Sequence, residues 1–342
     1  VNLRQLAELL GLSQTTVSRA LNGYPEVNRA TRERVLKAAE ETGYRPNAAA
    51  QRLATGRAGS IGLVMPAAPD YYADIHFAEF LSGLGEEAAR RDFHFVLMPK
   101  KPGEEEDALR WLVASGSVDG LYLAYMQAND PRITLMQSLR IPYLVHGRSI
   151  GIEGDYPYLD VDNEAAFRDA TNLLLELGHR RIGLLNGPGG VDFTIRRKAG
   201  VEAALATKGL VLGAEQTRHT AMTDEFGFRG MKELLEQPAP PTAVLCASTV
   251  LALGAIRAVN QAGLRLGRDI SLIAHDDVLP LLKPEDFSVP LTTTRSSLRA
   301  AGVRIGQRLI DRIKGLETGP EQELWKAELI VRNSTGAAPA EV

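Results

Sequence analysis

The feature that most constrains this chain is a repeated alternation of strand-length apolar runs with stretches of helical period. SIGLVMP (60–66), FHFVLMP (93–99), GLYLAY (120–125) and PYLVHG (142–147) form a first set, with helical spacing at 76–91 and 103–116. RIGLLNG (181–187), AVLCAS (243–248) and SLIAHD (271–276) form a second, separated by helical segments near 164–177, 195–208, 225–236 and 250–263. Runs this apolar are buried on both faces, and their alternation with helices calls for parallel sheets covered by helices. Two such sets within 342 residues predict two similar lobes. Ligands of such sheets lie beyond the carboxyl ends of the strands, so two facing lobes would enclose a cleft.

The first 57 residues follow a different pattern. Leu3, Leu6, Leu9 and Leu10 form the stripe of a short amphipathic helix that Gly11 ends. Ser13 stands where a cap belongs, and the next helix turns Val17 and Leu21 inward. A third helix, from Asn28 or Thr31 to Thr42, would bury Val35, Leu36 and Ala39. Two short helices joined at a glycine, the second opening with polar side chains, predict a helix-turn-helix. Its leading and outward positions are Ser13, Gln14, Thr15, Thr16, Ser18, Arg19 and Asn22. Gln suits adenine and Arg suits guanine at major-groove edges. Charge is divided accordingly: this stretch has nine Lys/Arg against five acidic residues, +4, which leaves −7 for the remainder of a chain at −3. A basic head on an acidic body is what phosphate attraction at one end requires.

Composition, 44% hydrophobic and 24% charged, is that of a globular protein, and no apolar run approaches the roughly 18 residues that cross a bilayer. The opening VNLRQLAELLGLSQ carries no basic segment followed by a long apolar one, and Cys246 has no second cysteine to pair with, so a cytoplasmic location is expected.

The runs SQTTVSRALNG (13–23) and TRERVLKAAEETGYRPNAAAQRLATG (31–56) resemble, in order and spacing, the LacI/GalR family of bacterial transcriptional repressors. The resemblance extends over the body through LDVDN (159–163), LGHRRIGLLNG (177–187), RRKAGVEAAL (196–205), DISLIAHDD (269–277) and PLTTTRSSLRAAG (290–302). It implies an all-α helix-turn-helix domain at 1–46, a hinge helix and linker at 47–58, and a two-lobed, periplasmic-binding-protein-like α/β effector domain at 59–342. The first lobe would hold about 60–161 and 291–322, the second about 162–290 and 323–342. It also implies base-reading roles for Gln14, Thr15 and Arg19, and a hinge whose Asn47, Ala50 and Leu53 meet the minor groove, Leu53 as a wedge between base steps. So short a helix would form only on DNA beside a second copy.

For the effector, the resemblance assigns Arg197 as a donor to ligand hydroxyls and Asp276 as the strand-end acceptor. Ser248 stands where relatives often have Asn, and Thr249 replaces the usual Asp, which leaves the hydroxyl pattern open. Tyr71, Tyr72, Asp74, His76 and Phe77 follow the first strand, and Arg148 and Met222 complete the expected effector contacts. Aromatic rings suit the apolar faces of sugars, and several in one loop favour an oligosaccharide such as an α-glucoside over a monosaccharide. Lobe packing or dimer contact is their plainer role.

Other signals point away from chemistry. Asp276 and Asp277 are strand neighbours facing opposite sides. His179 precedes a strand and reads as structural, and the six histidines lack metal-ligand spacing. Asn186–Val191 is glycine-rich without a phosphate-binding fingerprint. Cys246 lies inside an apolar run, and Glu104–Asp107 reads as the acidic opening of a helix. The expectation is a homodimeric, sugar-responsive regulator on a near-palindromic operator, released from DNA by its sugar or, if the sugar is a corepressor, held there by it, with no cofactor, no metal and no catalysis. A sugar-binding protein or an α/β enzyme would share the two-lobed body but leave the head unexplained.

Overall fold

The computed structural model describes residues 1–44, 56–67, 74–101, 103–152, 154–316 and 321–340, in two compact units, 1–59 and 60–342. In the first unit α1 (Leu3–Leu10), α2 (Gln14–Leu21) and α3 (Arg29–Glu41) close on Leu6, Val17, Ala20, Val35, Ala38 and Ala39. Each helix start is fixed by a short polar side chain: Asn2 accepts from Gln5 N, Ser13 from Thr16 N and Asn28 from Thr31 N. Gly11 closes α1 at φ 64°. Two expected core positions differ, since Leu9 and Leu36 are 66% and 48% exposed. The stripe of α3 that meets its neighbours is 35, 38, 39, the i, i+3, i+4 set, so Ala38 occupies the place expected of Leu36.

In the second unit the alternation produces two six-stranded sheets. The first contains β1 (Ser60–Pro66), β2 (His94–Lys100), β3 (Gly120–Leu123), β4 (Tyr143–His146) and β5 (Tyr158–Val161). Between them lie α4 (Ile75–Arg90), α5 (Glu105–Ala114) and α6 (Pro131–Leu139). The chain then passes through Asp162 into α7 (Asn163–Glu176) and the second sheet. That sheet is built from β6 (Ile182–Asn186), β7 (Thr217–His219), β8 (Ala243–Cys246), β9 (Ser271–Asp276) and β10 (Thr292–Arg295), with α8 (Asp192–Ala206), α9 (Asp224–Leu235) and α10 (Thr249–Gln261). Finally α11 (Leu298–Lys314) returns to the first lobe, β11 (Gln322–Trp325) joins the first sheet and β12 (Glu328–Ile330) the second. The strand orders are β11-β5-β4-β3-β1-β2 and β12-β10-β9-β8-β6-β7. All pairings are parallel except β10 with β12.

Two crossings lie later than the sequence suggested. Residues 292–295 do not enter the first lobe, because Thr292 pairs with Ile273 and Arg295 with Asp276, so the chain crosses after Arg295 rather than near 291. Residues 323–325 belong to the first sheet, paired with β5, so the last crossing falls between Trp325 and Glu328. Both lobes share one device. Gly83 and Gly302 let the backbones of α4 and α11 approach so closely that a Cβ would sit 2.0 Å from Arg299 O or 2.2 Å from Phe80 O. Gly254 of α10 stands against Asp224 O of α9 in the same way, at 1.8 Å.

Candidate functional site

On the head, the cap of α2 orders its polar face. Ser13 Oγ accepts from Thr16 N at 3.0 Å and lies 2.8 Å from Thr16 Oγ1, which commits both hydroxyls locally. Asn22 Nδ2 donates to Ser18 O at 2.8 Å. Gln14, Thr15 and Arg19 are exposed, whereas Thr16, Ser18 and Asn22 are half-buried. Several head cations are paired locally, Arg4 with Glu8, Arg29 with Glu33 and Lys37 with Glu41. Arg19 has no ion-pair partner among the described residues. Asn47, Ala50 and Leu53 lie outside the described residues.

In the body a cavity opens where the carboxyl ends of both sheets meet, as the doubly wound topology requires. The first lobe supplies an aromatic wall. Phe80 stacks on Tyr122 (4.9 Å between centroids) and on His146 (4.7 Å), and Phe77 lies 6.1 Å from Tyr125. Burial holds His146 down at about pKa 4, so it is neutral at pH 7. Arg148, at the end of β4, donates through Nε to Asp160 of β5 at 2.8 Å. Burial nonetheless lifts Asp160 to about 6, against the pull of Arg148.

Arg197 comes from α8 in the second lobe. Its guanidinium lies between the rings of Phe193 (4.8 Å) and Phe167 (5.1 Å), donates through Nε to Asn163 Oδ1 and through Nη1 to Ala247 O, both at 2.8 Å, and is lowered by burial to about 10. Opposite, Asp74 caps α4. Its Oδ1 accepts from His76 N at 3.0 Å and meets His76 Nδ1 at 2.8 Å, while Tyr125 OH donates to Oδ2 at 2.9 Å. His76 Nε2 is buried with no hydrogen-bond partner among the described residues, 3.5 Å from Asp277 Oδ2 of the other lobe. Burial raises Asp277 to about 6, with His76 and Arg197 acting against it. The lobes also meet at the cavity rim, where Asp192 N donates to Met126 O (2.8 Å) and Ile150 N to Asp192 Oδ1 (2.7 Å).

The cavity thus brings together Asp74, Phe77, Arg148, Arg197 and Met222 from the expected set. Tyr71 and Tyr72 lie outside the described residues. Two expected contacts do not line it. Ser248 is fully buried as the cap of α10, accepting from Leu251 N. Asp276 turns away, accepting from Val278 N at 2.8 Å with Arg295 Nε at 3.6 Å. Alternation along β9 instead aims His275 and Asp277 at the cavity, and of the two neighbouring carboxylates Asp277 is the one that faces it. Sequence reasoning also missed Asp160, Asn163 and Phe193. LDVDN contains the first two, and Phe193 lies one helical turn before Arg197, the i, i+4 spacing that stacks a ring on a guanidinium. His179 and Cys246 have structural surroundings: the imidazole meets Thr242 Oγ1 and Ser271 Oγ at 2.9 Å, and the thiol is buried in β8. Among the described residues no group of His, Cys, Asp and Glu is arranged to hold a metal ion.

Residues 2–47 match the model of bacterial regulatory proteins of the lacI family, and residues 171–335 that of the periplasmic binding protein-like domain. The HTH-type transcriptional regulator AglR of Rhizobium meliloti (strain 1021) is 68% identical over 339 residues, 99% of this chain and 95% of that protein. CelR of Thermobifida fusca, also an HTH-type transcriptional regulator, is 32% identical over 334 residues, 97% of each. Among solved structures, a complex of the transcriptional regulator CelR with cellobiose matches with a TM-score of 0.71 at 30% identity, over 97% of this chain and 99% of that one. The Lac repressor dimer bound to operator and the anti-inducer ONPF matches with a TM-score of 0.82 at 27% identity, over 98% and 99%.

Proposed function

The chain belongs to the lacI family of bacterial regulatory proteins and is a DNA-binding transcriptional regulator, not an enzyme, and from that premise we propose that it represses a carbohydrate-utilisation operon and leaves its operator when a sugar fills the cleft. The observation that carries the sugar reading is the pairing of an aromatic wall with buried carboxylates and a guanidinium. Rings cover the apolar faces of a pyranose, and charged groups hold hydroxyls through strong, directional bonds. The CelR–cellobiose complex supports a disaccharide-sized ligand, and an α-glucoside or another oligosaccharide is the class proposed.

On the DNA side, residues 1–46 would read the major groove through Gln14, Thr15 and Arg19, and residues 47–58 would act as the hinge, with Leu53 wedged in the minor groove. A homodimer on a near-palindromic operator is proposed because one short helix offers too little contact for genomic specificity. An exposed sheet edge favours the same reading: β2 is the last strand of its sheet, with Leu97 44% exposed and Trp111 of the adjacent α5 57% exposed. The proposed compartment is the cytoplasm; among the described residues no helix is long and apolar enough to cross a membrane.

A mobility shift on DNA from the flanking promoters, with maltose, trehalose or cellobiose titrated in, tests the reading. The shifted band should form without sugar and dissolve with at least one of them. Absence of any shift sinks the operator assignment, and a shift indifferent to every sugar sinks the effector assignment.

A further inference from the structure

Resting on the sugar reading of the cleft, we infer that His76 and Asp277 form a two-lobe clamp on one ligand hydroxyl, and that filling the clamp takes up a proton. The two side chains belong to different lobes, His76 to the first turn of α4 and Asp277 to the residue after β9. Both are buried, at 5% and 7% exposure, and both line the cavity. His76 Nε2 is a buried polar atom with no hydrogen-bond partner among the described residues, and such atoms are rare in a folded interior. It faces Asp277 Oδ2 at 3.5 Å, too far for a good hydrogen bond, and a hydroxyl held by both would part the two atoms to about 4.5 Å.

The ring orientation is fixed from the other side. Asp74 Oδ1 lies 2.8 Å from Nδ1, and Tyr125 OH holds the second oxygen of the same carboxylate, so Nδ1 carries a proton that it donates to Asp74. The charge state of the imidazole therefore decides what Nε2 can do. In the neutral ring Nε2 is a lone pair facing the carboxylate of Asp277, two acceptors with nothing between them. In the protonated ring Nε2–H donates to a ligand oxygen, and the hydroxyl hydrogen on that oxygen is donated to Asp277 Oδ2. One hydroxyl then satisfies both lobes, and the proton on Nε2 is required for it.

The surroundings bear on the same proton. Asp74 and Asp277 favour it, Arg197 of α8 opposes it, and burial opposes it most, with the net displacement upward from the usual histidine value. His275, the other imidazole near Asp277 (3.5 Å), meets Thr294 Oγ1 at 2.9 Å and is held neutral by burial, so it does not compete. Asp277 itself, lifted by burial to about 6, is anionic above neutral pH.

Calorimetric titration of the full chain with maltose, trehalose, cellobiose and glucose, from pH 6.5 to 9, tests this. At pH 8.5, runs in phosphate and in Tris, whose ionisation heats differ, should give uptake approaching one proton per bound sugar. Above the histidine's pKa the affinity should fall by up to roughly tenfold per pH unit. His76→Gln should weaken binding and remove both the proton uptake and the pH slope. Sugar binding with no proton uptake, or with a slope that survives His76→Gln, overturns the clamp and leaves the sugar reading intact. Failure of every sugar to bind overturns the sugar reading and the clamp together.

Discussion

Arg197 is gripped by two aromatic rings and two neutral oxygens, which leaves one N–H on Nη1 and both on Nη2 uncommitted by these two bonds. Lysine offers neither the planar face nor the fork, so Arg197→Lys should raise the sugar concentration needed to release operator DNA by tenfold or more. Affinity for the operator without sugar should stay within twofold, as a mobility shift would measure. His146 makes a different prediction. Its folded pKa of about 4 lies below the usual 6.5, so between those values the unfolded chain binds a proton that the folded one refuses. Stability is therefore lost as pH falls through that window, by up to roughly 3 kcal/mol from this residue. His146→Phe, which keeps the ring against Phe80, should flatten part of the decline in Tm between pH 7 and 5. An unchanged slope would put the acid sensitivity elsewhere. At this scale the cavity lining was readable where a motif carried the residue, as for Arg197, and where its place just after the first strand did, as for Asp74 and Phe77. It was not readable for His146, whose place beside Phe80 and Tyr122 depends on how β3 and β4 pair and how α4 packs against them. Asp276 and Asp277 mark the boundary: period-two alternation says that they diverge, and only the sheet says which one meets the cavity.

The helix pairs depend on bare backbone. A methyl group on Gly302 would need to occupy space 2.2 Å from Phe80 O, and backbone cannot retreat as a flexible side chain can. Gly302→Ala should separate α11 from α4 at a cost of about 2–3 kcal/mol. Differential scanning calorimetry should record a drop of roughly 5–10 °C in the transition of the two-lobed unit. A Tm within one degree of the parent would mean that the helices are not held at this distance. Among the elements, the central apolar strands and the helices between them were legible because burial on both faces leaves an unbroken apolar run, whereas β2 carries an equally apolar run yet is half-exposed at the end of its sheet. The helix at 131–139 was not picked out, although Asp130 caps it and Pro131 opens it, a start signal that stands without a strong apolar stripe. Strands β7, β11 and β12 are short and half-exposed, so they carry no run to read. β10 is buried yet made of TTTR, where threonine hydroxyls satisfied by neighbours replace apolar side chains.

The assembled regulator should depend on the free edge of its first sheet. Leu97→Glu would put a charge on the exposed face of β2 and should turn a dimer into a monomer in light scattering. Operator affinity should then fall on the order of a hundredfold or more, with weaker, salt-sensitive binding to random DNA retained by each head. A Leu97→Glu protein that remains dimeric would place the interface elsewhere. The threefold passage of chain between lobes has a consequence in time. The first sheet begins with β1 and is completed only when β11 arrives, more than two hundred residues later. At ribosomal speeds of about 5–20 residues per second, that interval is roughly ten to fifty seconds. The head, with its own caps and core, needs only the first forty or so residues. A nascent chain therefore carries its DNA-binding head long before it has a finished sensor, and a chain that stops before Gln322 would keep that head while lacking the complete first lobe with which to answer a sugar.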